Sequence, residues 1–130
     1  MKKHIALSTL LVLLALTLIS CTVVGNTNNP GSSDNTVGLD TQSFTPSSIT
    51  IKKGSSITLD NQDAVAHIIT NGSWQGSVPD SQSEPGAPVV NNLTISSVHQ
   101  TATIGPFNTA GTFHFYCIVH SGMNLTVIVQ

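Results

Sequence analysis

The sequence predicts an all-β fold, a Greek-key β-sandwich or barrel of seven to eight strands, and three observations carry that expectation. Apolar residues alternate at period two in short segments from Val37 onward. Turn-forming residues interrupt these segments at roughly eight- to twelve-residue spacing, and no stretch has the period of a long amphipathic helix. Composition agrees, since 39% of the 130 residues are apolar and only 8% charged, with a polar remainder rich in Ser, Thr, Asn and Gly. A chain of this length supports one domain with a modest core. With four lysines, no arginine and a formal charge of -2, it has no basic face to neutralise phosphates, which excludes nucleic acid as a partner.

In chain order, Met1-Lys2-Lys3-His4 precedes an almost unbroken apolar run from Ile5 to Ile19. This is the charged and apolar pattern of a secretory signal peptide, too short for a membrane span of about 20 residues. The run ends in Leu18-Ile19-Ser20-Cys21, which resembles the lipobox of bacterial lipoproteins. The expected organisation is therefore a signal peptide over 1–20, a lipidated Cys21 opening a flexible tether over 21–36, and a folded domain over 37–130. The protein would be exported and held by acyl chains at the outer face of the cell membrane. The tether assignment rests on Thr22 to Thr36, which has no apolar period and many turn formers. Lipidation of Cys21 leaves Cys117 with no disulfide partner, so an exported protein carries one thiol that needs another explanation.

Within the domain, strands are expected around Ile49 and Ile51, Ile57 and Leu59, Thr101 to Ile104, Phe113 to Cys117, and Leu125 to Val129. Turn signals separate them at Pro46, Lys53-Gly54, Asn71-Gly72, Gly105-Pro106, Ala110-Gly111 and Ser121-Gly122. Asn71 to Pro88, rich in Gly, Ser and Pro, reads as one long surface loop. Trp74 within it is equally consistent with a partner contact and with packing.

Chemistry concentrates in Gly111-Thr112-Phe113-His114-Phe115-Tyr116-Cys117-Ile118-Val119-His120-Ser121-Gly122-Met123. Phe113 and Phe115 form the inward set of a strand, so the Cys117 thiol at its end is expected to face the interior. His114 and Tyr116 fall on the opposite face and read as structural, as does His99. A thiol, an imidazole and a thioether within seven residues select copper, with the thioether as a weak axial donor. His67 supplies a candidate second imidazole. Zinc fits less well, because its sites close with a further Cys, His or carboxylate and methionine is a poor ligand for it. There is no Cys-x-x-Cys-His run for haem and no second loop cysteine for a dinuclear centre.

Two segments together resemble one family. Phe44-x-Pro46-x-x-Ile49-x-Ile51-x-x-Gly54-x-x-Ile57-x-Leu59-x-Asn61-x-Asp63-x-x-x-His67 is followed by Gly111-Thr112-Phe113-x-Phe115-x-Cys117-x-x-His120-x-x-Met123. The pattern is similar to the cupredoxins, the small blue-copper proteins that include plastocyanin and amicyanin, and the spacing around His120 is most like amicyanin. The resemblance implies one type 1 copper ion held by His67 and His120 through ring nitrogen, Cys117 as thiolate and Met123 as a long axial contact. It further implies a monomeric one-electron carrier, with no catalytic residues, whose redox partners dock transiently on an apolar patch of Ile118, Val119 and Gly122 around His120. Storage or delivery of copper at the envelope without redox turnover would use the same residues and stays open. The family's proline before the first histidine and asparagine after it are replaced by Ala66 and Ile68, so the side-chain bond that ties the two ligand segments together is expected to be missing.

Overall fold

Alternation does become strands, more of them and shorter than expected. The computed structural model describes residues 34–130. Eleven strands are present among the described residues: β1 (Thr36–Asp40), β2 (Ser43–Thr45), β3 (Ser48–Ile51), β4 (Ile57–Asn61), β5 (His67–Asn71), β6 (Ser73–Gln75), β7 (Val78–Asp80), β8 (Leu93–Ile95), β9 (Thr101–Ile104), β10 (Gly111–Cys117) and β11 (Asn124–Val129). Nine of them form two sheets, in the orders β2-β1-β4-β9 and β3-β11-β10-β5-β8, and β6 pairs with β7. The all-β sandwich is thus observed, while the expected seven to eight strands undercounts it. The sequence signs missed were a three-residue edge strand, β2, and the β6–β7 hairpin.

The signal peptide, Cys21 and nearly all of the tether lie outside the described residues. The last tether residue, Thr36, already pairs with Thr58 in a parallel ladder, and Asn35 Nδ2 donates to the Ser56 carbonyl at 3.1 Å, so regular structure begins just before Val37.

Inward residues of both sheets meet in one core that includes Leu39, Phe44, Ile57, Leu59, Leu125 and Val127. Phe107, from the irregular segment after β9, is fully buried between the sheets, edge-on to Phe115 at 6.0 Å and tilted against Phe113 at 5.8 Å. Strand register gives the sandwich two distinct ends. At one end lie Thr36, Ile57, Ile104, Gly111 and Val129; at the other lie Asn61, Thr101, Cys117 and Asn124. Chain entry into β1 and the close of β11 share the first end, where Lys53 N donates to the Gln130 carbonyl at 2.8 Å.

The 71–88 segment is not one long loop. Gly76-Ser77 makes a two-residue connection between Gln75 and Val78, which face each other in register. Gly72 holds φ +112°, and a Cβ there would overlap the Asp80 carbonyl, so only glycine permits the chain to leave β5 and turn directly into this hairpin. The Asn71 side chain, buried at the end of β5, donates from Nδ2 to the Pro88 carbonyl at 3.0 Å and accepts from Val90 N at 2.6 Å. It thereby stitches the far end of the segment back to the sheet.

Candidate metal centre

Cys117 closes β10 with its side chain on the inner face, in line with Phe113 and Phe115. It pairs with Ile69 across the antiparallel β5–β10 ladder. His67, two residues before Ile69, therefore lies on the same inward face as the thiol. His120 returns on the loop between β10 and β11, its Nδ1 3.4 Å from Cys117 Sγ, and the His67 and His120 rings stand 4.9 Å apart, tilted by 60°. One ligand atom from each of His67, Cys117 and His120 lies within 4.8 Å of the others. Met123, at the end of the loop, is buried in the core, and its backbone closes the turn: Cys117 N donates to the Met123 carbonyl at 3.1 Å and Met123 N to the His120 carbonyl at 3.1 Å. The four residues expected from the sequence thus gather at one end of the sandwich.

The first three residues also fit a metal ion chemically. His67 is fully buried, yet neither of its ring nitrogens has a hydrogen-bond partner. An unpaired buried imidazole is costly, and a cation between it, the Cys117 thiol and His120 would relieve that cost. Burial, and secondarily the neighbouring His120, push the His67 pKa below its ordinary value, which keeps the ring in the neutral form that can ligate. Soft sulfur beside imidazole matches copper, as the sequence implied.

The missing side-chain tie is replaced by backbone. Ile118 N donates to the Ile68 carbonyl at 2.9 Å, joining the ligand loop to the strand that carries His67. On the approach to His67, the Asp63 carboxylate accepts from the Thr41 hydroxyl at 2.7 Å and from Val65 N at 2.8 Å, and Asn61 Nδ2 donates to the Val65 carbonyl at 3.0 Å. The Thr41 and Val65 bonds hold the Asp63 carboxyl below the usual carboxylate range. These contacts shape the turn where the family has its proline.

Sequence reasoning missed what covers the outer face of β10. Tyr116, expected on the face opposite Cys117 together with His114, is only 3% exposed, because Trp74 packs against it edge-on at 5.7 Å. Trp74 also donates from Nε1 to the Cys117 carbonyl at 2.9 Å. His114 meets Glu84, whose Oε2 accepts from His114 N at 3.2 Å and whose Oε1 lies 2.5 Å from Nδ1. The Gly76-Ser77 turn pair was the available signal for this hairpin. His99 remains a surface residue, 3.8 Å from Asp60.

Comparison with known proteins agrees with this geometry. Residues 32–130 match the family described as copper binding proteins, plastocyanin/azurin family. Among solved structures, the chain is similar to amicyanin from Paracoccus versutus, with a TM-score of 0.55 at 22% identity over 73% of this chain and 79% of that one. An oxidised methionine-to-leucine mutant of amicyanin gives 0.56 at 17% identity, over 76% and 84% of the two chains. An oxidised proline-to-glycine mutant gives 0.56 at 18% identity, over 77% and 85%. A search among curated proteins finds no significant match.

Proposed function

Because the chain belongs to the plastocyanin/azurin family of copper-binding proteins, we propose that it is a one-electron carrier, tethered to the outer face of a membrane through a lipidated Cys21. The observation that carries the redox reading is the buried, unpartnered His67 imidazole facing Cys117 and His120. Copper would supply a centre that accepts and returns one electron by alternating between Cu(II) and Cu(I). His67 and His120 suit the oxidised ion, and Cys117 with Met123 suits the reduced one. The Cys117–Met123 and Met123–His120 backbone bonds hold three of these donors on a short loop, the Ile118–Ile68 bond ties that loop to the strand that carries His67, and little rearrangement between states means fast transfer. Beside half-buried His120, Ile118 and Val119 are 37% and 51% exposed. They offer redox partners the small apolar surface that brief, weak docking requires.

Absorption and EPR spectra of the copper-loaded protein test the site. An intense blue thiolate-to-Cu(II) band is expected, and it disappears in Cys117→Ser. A colourless Cu(II) adduct, or colour that survives the substitution, overturns the assignment. Reversible reduction with rapid self-exchange separates a carrier from a copper store, which would pass its ion to an acceptor without cycling. The anchor is tested separately by membrane fractionation, with Cys21→Ser expected to release the protein.

A further inference from the structure

The peptide group that follows the thiol residue is held at both of its ends. Its N–H, on Ile118, donates to the Ile68 carbonyl at 2.9 Å, and its carbonyl, on Cys117, accepts from the Trp74 indole at 2.9 Å. A peptide unit is planar, so fixing both groups fixes the orientation of the whole plane and with it the direction in which the chain leaves Cys117. One partner is a neighbouring strand of the same sheet; the other is a side chain brought in from outside by the β6–β7 hairpin.

The backbone that carries that side chain is itself clamped. Trp74 N donates to Asn124 Oδ1 at 2.7 Å, and Asn124 Nδ2 donates to the Trp74 carbonyl at 3.1 Å. Asn124 directly follows Met123, so the hairpin grips the ligand loop where it begins, at Cys117, and where it ends. The indole ring lies against Tyr116, which leaves its N–H little freedom to point elsewhere. Packing alone would account for the ring contact with Tyr116. It would not account for a donor aimed at the carbonyl of the thiol residue.

We propose that Trp74 is a positioning residue for Cys117, its indole N–H fixing the Cys117–Ile118 peptide and raising the reduction potential of the ion that the thiolate holds. The inference rests on the electron-carrier reading of the site. An N–H dipole presents its positive end to the carbonyl, and a positive end near the thiolate favours the state with one more electron. The contribution is modest, because the bond reaches the sulfur through the backbone and is not made to it directly.

The test replaces Trp74 with β-(3-benzothienyl)alanine, which keeps the shape and loses the donor, and in parallel with Phe. Removing the N–H is expected to shift the redox equilibrium about two- to threefold against reduction, roughly 20 to 30 mV by the 59 mV per tenfold conversion, and to move the thiolate band. 5-Fluorotryptophan, a stronger donor of similar shape, moves both the other way. Trp74 is the only tryptophan, so its single indole N–H resonance in the copper-free protein gives a readout independent of the metal, and slow exchange with water is expected. A blue benzothienyl variant with unchanged potential and band overturns the proposal and leaves Trp74 a packing residue. Rapid indole exchange in the folded copper-free protein overturns it as well. Failure of the unsubstituted protein to turn blue strikes the carrier reading instead, and the exchange measurement still reports whether the peptide is held.

Discussion

The two faces of β10 draw on alternate residues of one seven-residue strand and are covered in opposite ways. Inward, Phe113, Phe115 and Cys117 run from the apolar core to the ligand end, buried by residues from both sheets. Outward, His114 and Tyr116 are covered by one excursion of the chain, residues 71–88, through Glu84 and Trp74. Period-two alternation tells which face a residue takes but not what arrives later to cover it. The inner face is maintained by area and shape, the outer one by a few directed bonds. Perturbing them should have effects of different size and kind.

The largest effect is expected on the inner face. Phe115→Ala removes a fully buried ring that touches Phe107 and should lower stability by about 3–5 kcal/mol, measured by urea unfolding, with both faces lost in one transition. The excursion that covers the outer face is anchored at Asn71, and Asn71→Ala removes its buried bonds to Pro88 and Val90 and should cost about 1–3 kcal/mol. Hydrogen exchange should then rise in residues 71–90 while β10 and β11 stay protected. Equal loosening of both regions would show that the two faces are not separable.

Acid distinguishes the faces more finely. At the end of the inner face, His67 has its pKa lowered by burial and by His120. The unfolded chain then takes up a proton first, so the copper-free protein loses stability as pH falls below the ordinary imidazole value of 6.5 and goes on losing it down to the lowered one. Unfolding curves between neutral and mildly acidic pH should show the decline, and His67→Asn should flatten it. The smallest effect belongs to Glu84. Burial raises its pKa, but the bonds from His114 outweigh that and leave it below the usual value of 4.5. Its contribution is therefore complete above that value and is lost as pH falls through the lowered one. It should amount to less than about 1 kcal/mol at a part-exposed pair, and Glu84→Gln should remove its pH dependence without disturbing the fold.

How much could be read from the sequence follows from the same contrast. Cys117, His120 and Met123 stood out because three soft or imidazole donors share one short loop at the end of a strand with a clear inward set, and His67 because a matching strand precedes it. The covering of Tyr116 did not stand out. It depends on a hairpin whose strands have three residues each, one of them containing Pro79, so that neither carries a readable alternation. The tie between ligand segments was looked for in a side chain at Ile68 and is made by the Ile68 carbonyl, which every residue type possesses. Backbone bonds leave no mark in composition, and neither does the partner chosen by a single indole.

Chain entry at Thr36 has a practical corollary. The ligand loop sits at the far end of the strands from it, and a five-residue strand such as β1 spans about 17 Å. Coupling the protein to a bead or an electrode through groups preceding Thr36 would hold it by its foot, with His120 facing the bulk solution. Coupling through Lys52 or Lys53, at the same foot, would give the same orientation, so electrode currents from the two attachments should be alike and both should differ from those of a protein fixed by its crown.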